Sequence, residues 1–388
     1  MGTIEPVKIL FSSLGSHGHT YPLLPLAIAA HEHGHDVTFA TTPDFAPAVE
    51  RHGIRHLPAG LGMRAAVTEA TAVGADDPIV PTDVDQELIL RVFGSILPRR
   101  NFADLTPYLE RSRPDLVVHE LANPGAGLAA RVAGIPALCH GFGRMWESDL
   151  LEAPTPFLEF CAEIGVDVPA EHPMVLGNPY LDVCPPSVQD KKFLAAVDAI
   201  ALRPVPFAEP GDLPDWVVAH DQPLVYLTLG TAFGSSDVLR TAITGLSEVE
   251  GTRLLVAVGP SVEPGMLGEV PEQVTVLPWV PQADLLRYTD LVVHHGGSGT
   301  TLGAFGAGLP QLVLPQGADQ FSNAEAVLSH GLGDRLVGDL VTSGAIADRA
   351  RHLLVDPAVR AAAGTVAAEV AAMPSPAEVA ARLSEYAR

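Results

Sequence analysis

The chain has 388 residues, of which 47% are hydrophobic and 18% charged, so it is long enough for two domains with full cores and does not resemble a disordered protein. Its 46 acidic residues outnumber the 23 basic ones, which gives a formal net charge of −23. Because such a charge repels polyanions, nucleic acids and anionic membranes are excluded as general partners, and an anionic ligand has to be bound by local donors.

Export and membrane insertion are not expected. The start, MGTIEPVKILFSS, has no basic segment followed by a long apolar one, and no apolar stretch approaches the ~20 residues of a membrane span. The three cysteines, Cys139, Cys161 and Cys184, are scattered, which is typical of a reducing cytosol without disulfides. We therefore predict a cytoplasmic protein with buried thiols, although a nucleophilic role for one of them stays open.

Strand and helix patterns alternate through the first half of the chain, with short joints between them. This order predicts a parallel sheet that is covered by helices on both faces. Thr20 is expected to cap the first helix and Gly34 to end it. The irregular stretches 61–84 and 141–186 could line a binding cleft or only cover the sheet. The predicted strands are 7–13, 35–42, 113–120 and 135–141, and the predicted helices are 21–34, 43–53 and about 123–133.

A segment rich in proline, glycine and acidic residues, RPVPFAEPGDLPDW, separates two α/β halves of similar size. Two such halves predict a cleft where the carboxyl ends of their strands meet. The strands predicted in the second half are 223–231, 253–259, 274–280, 290–296 and 309–315. The predicted organisation is an N-terminal domain at 1–202, a linker at 203–217, a C-terminal domain at 218–373 and an amphipathic helix at 374–388.

The late strand DLVVHH runs into GGSGTT, which is predicted to open a helix. Gly296, Gly297 and Gly299 would leave backbone N–H groups facing outward, and free N–H groups at a helix start bind phosphate. His295 and the threonine hydroxyls can add donors to the same anion, as can the Gly-Thr turn that ends the strand at 223–231. Two alternatives stay open: a dinucleotide site, although the spacing G-x-G-x-x-x-G departs from that fingerprint, and glycines that serve only tight packing.

Three motifs follow one another in the second half: W-x-P-Q beginning at Trp279, H-x-G with a later threonine beginning at His295, and D-Q beginning at Asp319. Together with GSHGHTYP and LTLGT, they resemble the family 1 type of nucleotide-sugar-dependent glycosyltransferases, most closely the actinobacterial enzymes that glycosylate antibiotics and other natural products. The resemblance spans nearly the whole chain. It implies a GT-B fold, in which two Rossmann-like, doubly wound domains face each other across a cleft and the C-terminal helix packs back on the N-terminal domain.

The resemblance also implies roles for individual residues. It places the nucleotide base against Trp279 and the backbone of Val280, and the sugar hydroxyls against Asp319 and Gln320. The residues that it assigns to the phosphate loop are His295, Gly297, Ser298, Gly299 and Thr300, with Thr231 from the Gly-Thr turn. No D-x-D-type carboxylate pair lies beside this loop, so neither a metal nor a cofactor other than the donor substrate is expected.

Gly303 gives an indication of which nucleotide the donor carries. Relatives that use UDP-sugars often carry a glutamate at the matching position, where it binds both ribose hydroxyls. A thymidine nucleotide lacks the 2′-hydroxyl, so the glycine favours a dTDP-sugar over a UDP-sugar as the donor. The alternative is that Gly303 is only a packing choice.

His17 and His19 in GSHGHTYP could be metal ligands. A zinc site needs three or four converging ligands, however, and the next histidines, His31, His33 and His35, lie about one helix length further on, or ~18 Å. The two sets therefore cannot share one metal ion. The second set is interpreted as a solvated helix end, where positive charge suits the helix dipole.

A general base is the better interpretation of the first set, because histidine has an unperturbed pKa of ~6.5, close to neutrality. The positive potential at the start of the following helix would keep such a ring neutral. In the family pattern G-H-x-x-P the base directly follows the glycine, which the resemblance places at His19 rather than His17. It places the orienting carboxylate at Glu120, where relatives carry aspartate, so the longer side chain could reach the ring directly or through water.

These residues predict an inverting, metal-independent hexosyltransferase that moves a (deoxy)sugar from a nucleotide to a hydroxyl of an apolar small molecule. The acceptor is expected to be apolar because the irregular N-terminal stretches carry aromatic rings rather than charge. The alternatives are a non-catalytic GT-B partner that activates a sister enzyme, an NAD(P)-dependent oxidoreductase and a nucleotide-sugar epimerase. The oligomeric state, with a homodimer as one option, is left open.

Overall fold

The computed structural model describes residues 6–71, 86–145, 155–207, 209–230, 235–259, 262, 264–268 and 270–387. The chain divides into two compact units. The first consists of Met1–Cys184, Gln189–Arg203 and Pro374–Arg388, and the second of Pro185–Val188 and Pro204–Met373. The main change of unit therefore falls between Arg203 and Pro204, at the start of the predicted linker, and the short segment Pro185–Val188 goes with the second unit.

The first unit is built on a seven-stranded sheet in the order β3-β2-β1-β4-β5-β6-β7, and all neighbouring strands pair in parallel. Its central strands β1 and β4 are almost fully buried, as expected for a sheet covered on both faces. The strands are β1 Lys8–Ser12, β2 Asp36–Thr41, β3 Arg55–Pro58, β4 Leu116–Glu120, β5 Ala137–His140, β6 Tyr180–Asp182 and β7 Ala199–Ala201.

Helices of the first unit connect these strands. A five-residue π-helical stretch, Val92–Ile96, joins two of them, α5 and α6. The helices are α1 His17–Thr20, α2 Leu24–Glu32, α3 Ala46–Glu50, α4 Met63–Thr71, α5 Gln86–Arg91, α6 Leu97–Ser112, α7 Pro124–Val132, α8 Pro156–Glu163 and α9 Lys191–Ala196. None of the helices in the described part of the chain is long and apolar enough to cross a membrane.

The second unit repeats this plan with six parallel strands in the order β10-β9-β8-β11-β12-β13. Its strands are β8 Leu224–Thr228, β9 Arg253–Ala257, β10 Val274–Leu277, β11 Leu291–His294, β12 Gln311–Val313 and β13 Gly333–Arg335. Its helices are α10 Asp215–Ala219, α11 Ser236–Ser247, α12 Gln282–Leu285, α13 Ser298–Ala307, α14 Gln320–Ser329, α15 Ser343–Val355 and α16 Pro357–Ala372.

Each sheet reverses its strand order once, between β1 and β4 in the first unit and between β8 and β11 in the second. At such a switch point the connections leave the sheet in opposite directions, which opens a crevice at the carboxyl ends of the two strands, where ligands bind in open α/β sheets. Ser12 at the end of β1 pairs with His119 of β4, and Thr228 at the end of β8 pairs with His294 of β11. The segments that follow these four strands are therefore where functional residues are expected.

The last segment of the chain returns to the first unit. Helix α17, Pro376–Ala380, packs against α2, and a 3₁₀ turn, Leu383–Tyr386, follows it. A capping box between Ser375 and Glu378 begins α17. The predicted single helix over 374–388 is therefore shorter, since its α-helical part ends at Ala380.

His35 binds this segment, so its interpretation as part of a solvated helix end was wrong. The ring is 3% exposed. His35 Nδ1 accepts the Val7 N–H at 3.3 Å, and Nε2 lies 3.2 Å from the Ala380 carbonyl oxygen, to which it donates as the neutral tautomer. Burial lowers the pKa of His35, which keeps this arrangement neutral.

The predicted helix at 21–34 begins later, at Leu24, and Thr20 does not cap it. The Thr20 hydroxyl donates to the Leu14 carbonyl oxygen at 2.9 Å instead. Pro22 and Pro25 have no N–H with which to continue a helical hydrogen-bond ladder, so α1 and α2 stay separate. Gly34, with φ of 92°, ends α2 as predicted.

Candidate active site

The structure brings together two predicted residues at the switch point of the first sheet. His19 lies in α1, which follows β1, and Glu120 is the last residue of β4. The distance from His19 Nδ1 to Glu120 Oε1 is 3.1 Å, so the contact is direct and needs no bridging water. The pair is at ion-pair distance without hydrogen-bond geometry, and the ring edge that carries Nδ1 faces the carboxylate. A proton on Nδ1 would suit this neighbour, because a carboxylate only accepts, and would leave Nε2 as the basic nitrogen.

Glu120 is held rigidly for this contact. Its side chain is fully buried, and the Ala122 N–H donates to the same oxygen, Oε1, at 2.6 Å. The Glu120 carbonyl oxygen lies 3.1 Å from His119 Nδ1 and accepts the Asn123 N–H at 2.9 Å. The extra methylene relative to aspartate is therefore accommodated by the turn after β4.

Two aromatic rings lie beside His19. The Phe142 ring packs edge-on at 4.9 Å between ring centroids, and Phe93, from the π-helical stretch, lies at 6.5 Å. His17 belongs to a different cluster, since its ring packs edge-on against Tyr21 at 5.0 Å and Phe45 at 5.2 Å. The geometry thus favours His19 over His17 as the functional histidine.

The cysteine alternative loses support from burial. Cys139, Cys161 and Cys184 are all free and buried. Burial raises the pKa of the Cys139 thiol well above its usual range and that of Cys161 to about 11. Since the thiolate is the nucleophile, neither of these two groups is suited to covalent chemistry at neutral pH.

The glycine-rich loop lies at the switch point of the second sheet, between β11 and α13. The first backbone bond within α13 runs from the Thr301 N–H to the Gly297 carbonyl oxygen at 3.0 Å. The preceding amides of Ser298, Gly299 and Thr300 have no helical acceptor, which is the arrangement that binds phosphate. The Gly296 N–H, in contrast, donates to His294 Nδ1 at 3.1 Å, so the prediction that it faces outward was wrong.

His295 fits between two glycines. A Cβ atom on Gly230 would lie 2.5 Å from His295 Cε1, and one on Gly297 would lie 2.4 Å from His295 Nε2. Gly230 also has φ of 75°, a backbone conformation that disfavours side chains. Burial lowers the pKa of His295 to about 4, so the ring is neutral at physiological pH and offers one N–H donor.

The hydroxyl groups of this loop bind protein atoms. Thr300 donates to Gln282 Oε1 at 3.1 Å, and Ser298 donates to Asp319 Oδ2 at 2.7 Å. Gln320 is also engaged, since its Oε1 accepts the N–H groups of Gln316 at 2.7 Å and Gly317 at 3.1 Å. Backbone amides, rather than these hydroxyls, are therefore the available phosphate donors of the loop.

The remaining residues that the sequence analysis discussed are Trp279, Val280, Gly303 and Thr231. The Trp279 side chain is 40% exposed, while Val280 beside it is 3% exposed and packs in the core of the second unit. A Cβ on Gly303 would lie 2.9 Å from Leu286 Cδ1, the movable end of a side chain, so packing alone does not require glycine at this position. Thr231 lies outside the described residues.

Sequence reasoning missed three residues that shape this loop: His294, Gln282 as the acceptor for Thr300, and Asn323. Asn323 follows Asp319 by four residues, so both lie on one face of α14, and that spacing was the only available signal. His294 donates through Nε2 to Gln311 Oε1 at 2.9 Å while it accepts the Gly296 N–H. Only the folded chain shows that these residues contact the loop.

Five buried histidines with lowered pKa values make stability dependent on pH, and four of them have the largest shifts. Burial lowers the pKa of His119, His140 and His295 to about 4 and that of His294 to about 3, against 6.5 when unfolded. The unfolded chain therefore binds more protons below pH 6.5, and the free energy of unfolding should fall as pH falls from 6.5 to 5, by up to about 1.4 kcal/mol per pH unit for each ring.

Urea unfolding at pH 7.5, 6.5, 5.8 and 5.0 checks this expectation. A free energy of unfolding that stays level or rises between pH 6.5 and 5.0 would contradict the assignment of these rings as neutral.

Comparisons with known proteins identify the family of the chain. The chain matches the erythromycin biosynthesis protein CIII-like N-terminal domain over residues 28–230 and the C-terminal domain of the same family over 246–386. It is 32% identical to the elloramycin glycosyltransferase ElmGT of Streptomyces olivaceus, covering 97% of each chain. It is 31% identical to the L-demethylnoviosyl transferase of Streptomyces niveus, covering 98% of this chain and 99% of the relative.

The fold is also that of a solved glycosyltransferase. The Streptomyces sp. SF2575 glycosyltransferase SsfS6, complexed with thymidine diphosphate, superposes with a TM-score of 0.75 at 26% identity, covering 98% of this chain and 99% of that one. The fold and the comparisons together define a glycosyltransferase with the GT-B fold. More narrowly, the chain belongs to the erythromycin biosynthesis protein CIII-like family.

Proposed function

We propose that this enzyme transfers a sugar from a dTDP-sugar to a hydroxyl of an apolar natural product, with inversion at the anomeric carbon and without a metal ion. The observation that carries the proposal is the direct 3.1 Å contact between His19 Nδ1 and Glu120 Oε1 at the switch point of the first sheet. A histidine oriented by a buried carboxylate is the arrangement of an activated general base.

His19 acts on the acceptor. Its Nε2 takes the hydroxyl proton while the acceptor oxygen attacks the anomeric carbon from the face opposite the diphosphate. The bond from that carbon to the phosphate oxygen breaks, and its electron pair leaves with the nucleoside diphosphate. Glu120 holds the ring in the tautomer that leaves Nε2 basic and stabilises the imidazolium once it forms. A single displacement of this kind inverts the configuration at the anomeric carbon.

The glycine-rich loop acts on the donor. The amides of Ser298, Gly299 and Thr300, at the positive end of α13, stabilise the negative charge that develops on the departing diphosphate, and His295 adds a neutral N–H. These donors supply charge stabilisation from the protein itself, so the reaction is proposed to need no metal ion. Among the described residues, no three metal-ligating side chains form a group.

The base and the sugar of the donor bind to residues around this loop. The exposed ring of Trp279 offers a stacking surface for the base, and the backbone of Val280 offers hydrogen bonds to its edge. Asp319 accepts a sugar hydroxyl. Gln320 and Thr231 keep the sugar and diphosphate roles that the resemblance gives them, although Gln320 Oε1 already binds two backbone N–H groups, which leaves its amide nitrogen for the sugar.

The acceptor is proposed to be apolar because of the surroundings of His19. Phe142 and Phe93 lie beside the ring, so the atoms that approach Nε2 contact aromatic carbon. The relatives named above include an elloramycin glycosyltransferase and an L-demethylnoviosyl transferase, which supports a natural product as the acceptor. The thymidine diphosphate complex of SsfS6 supports the dTDP-linked donor.

A thermal-shift panel of dTDP, UDP, GDP and NADH tests the ligand class. At 100 times its dissociation constant a ligand stabilises a protein by about 2.7 kcal/mol, so we expect dTDP to raise Tm by several degrees and to exceed UDP. Equal shifts with UDP would contradict the thymidine preference. A shift with NADH and none with dTDP would favour the oxidoreductase alternative instead.

A further inference from the structure

The carboxylate of Asp319 is held by two side chains that the proposed function leaves without a role. The Ser298 hydroxyl donates to Asp319 Oδ2 at 2.7 Å, and Asn323 Nδ2 donates to the same oxygen at 3.2 Å. Asn323 Nδ2 also lies 3.2 Å from Ser298 Oγ and 2.8 Å from the Gly296 carbonyl oxygen. These contacts join the glycine-rich loop, the start of α13 and the start of α14 in one network.

The network is buried and specific. Asn323 is 2% exposed and Ser298 is 8% exposed. A hydroxyl group has one proton, and Ser298 gives it to Asp319, so it cannot donate to a phosphate at the same time. Ser298 is the first residue of α13, and its Oγ contacts the side chains of Asp319 and Asn323. The hydroxyl therefore serves the carboxylate rather than the helix.

The backbone beside Asp319 is strained. Ala318 has φ of 54°, in the left-handed region that residues other than glycine seldom adopt. Such a conformation persists where the surroundings fix it, and it occurs often at ligand-binding sites. Asp319 is thus fixed at two points, by the turn that precedes it and by the two donors on its Oδ2 atom.

We propose that Ser298, together with Asn323, is a positioning residue that determines donor-sugar specificity. It fixes the orientation of the Asp319 carboxylate so that this group accepts a hydroxyl of the transferred sugar, and a donor deoxygenated at that position binds more weakly. The inference rests on the proposed function, which places the donor sugar at Asp319. A carboxylate offers about four acceptor sites, and a hydrogen bond to a charged group contributes about tenfold or more in affinity.

Calorimetric titration of dTDP, dTDP-glucose, dTDP-3-deoxyglucose and dTDP-4-deoxyglucose tests the inference. For the unmodified protein we expect one deoxygenated donor to bind about tenfold more weakly than dTDP-glucose. In Ser298→Ala that difference should fall to about twofold, because the carboxylate of Asp319 loses a fixed orientation, and titration of dTDP, which has no sugar, measures any separate effect on the diphosphate site. Ser298→Thr keeps a hydroxyl and should restore the discrimination.

A matched control and the contrary outcomes complete the experiment. Ser329→Ala makes the same substitution at the last residue of α14, where the hydroxyl lies 3.4 Å from the Ala326 carbonyl oxygen, and should leave discrimination intact. Unchanged discrimination in Ser298→Ala overturns the inference, and so do equal affinities of the unmodified protein for the three sugar donors. An equal loss of affinity for dTDP and dTDP-glucose also overturns it, because it would make the Ser298 hydroxyl a phosphate ligand. If the unmodified protein binds none of the four nucleotides, the proposed function itself fails.

Discussion

Replacing His19 with alanine is expected to lower kcat for sugar transfer by about a hundredfold to ten-thousandfold and to leave dTDP affinity unchanged. The loss is large because, in the described part of the chain, the other group that contacts Glu120 Oε1 is the Ala122 N–H, which can only donate and cannot replace the imidazole as a base. Steady-state kinetics with a dTDP-sugar and a phenolic surrogate acceptor, combined with calorimetric titration of dTDP, measure both quantities.

This prediction also separates an enzyme from a non-catalytic partner. The ring is 17% exposed and packs against Phe142, so its removal leaves a small, partly open gap rather than a deep core cavity. The variant does remove a partner of the buried Glu120 carboxylate, so its Tm is expected to fall, and cooperative unfolding has to be confirmed before its activity is interpreted. Full transfer activity in a folded His19→Ala variant would exclude His19 as the base and favour the non-catalytic interpretation.

The second large effect is expected at Gly297, where replacement by alanine should weaken dTDP binding by about tenfold or more. The new Cβ would lie 2.4 Å from His295 Nε2, so either the ring or the start of α13 has to move. Overpacking of this kind costs about 1–3 kcal/mol, and here it displaces the donors themselves. Calorimetric titration of dTDP and thermal unfolding measure the two effects.

Gly306→Ala is the matched control for that change. Gly306 lies in the same helix, and a Cβ there would lie 3.7 Å from Val370 Cγ1, an ordinary van der Waals contact. Because alanine favours helix over glycine by about 1 kcal/mol, this variant should unfold at a slightly higher temperature and bind dTDP normally. If Gly297→Ala binds dTDP as well as Gly306→Ala does, the loop is not the diphosphate site.

Much of the fold could be predicted because its central strands are long apolar runs. Strands β1, β4, β8 and β11 all lie within predicted strands, and alternation with helices indicated the parallel sheets. The short strands β3, β6, β7 and β13, of three or four residues each, were missed. Length alone does not explain this, since β12 also has three residues and lies within a predicted strand. Strands β3, β7 and β13 are edge strands, and their partial exposure removes the continuous apolar run that marks a buried strand.

The candidate site, too, could be predicted from the sequence only in part. Family motifs were enough to select His19 and Glu120, but whether the longer carboxylate reaches the ring depends on the turn after β4, which only the structure shows. Likewise, the motif GGSGTT indicated a phosphate loop. Its hydrogen-bond partners come from elsewhere in the fold: β11 for Gly296, α12 for Thr300, and the residue directly before α14 for Ser298. Such tertiary partners decide which groups of a motif remain available to a ligand.

The two histidines of GSHGHTYP provide the most direct test of the central claim, that His19 removes the acceptor proton as the diphosphate leaves. His17→Ala and His19→Ala change neighbouring imidazoles: His19 contacts Glu120, and His17 packs against Tyr21 and Phe45. The decisive measurement is the single-turnover rate of sugar transfer with prebound dTDP-sugar. We predict a rate within about threefold of the unmodified enzyme for His17→Ala and a loss of at least about a hundredfold for His19→Ala. Equal rates for the two variants, or a larger loss for His17→Ala, would contradict the claim.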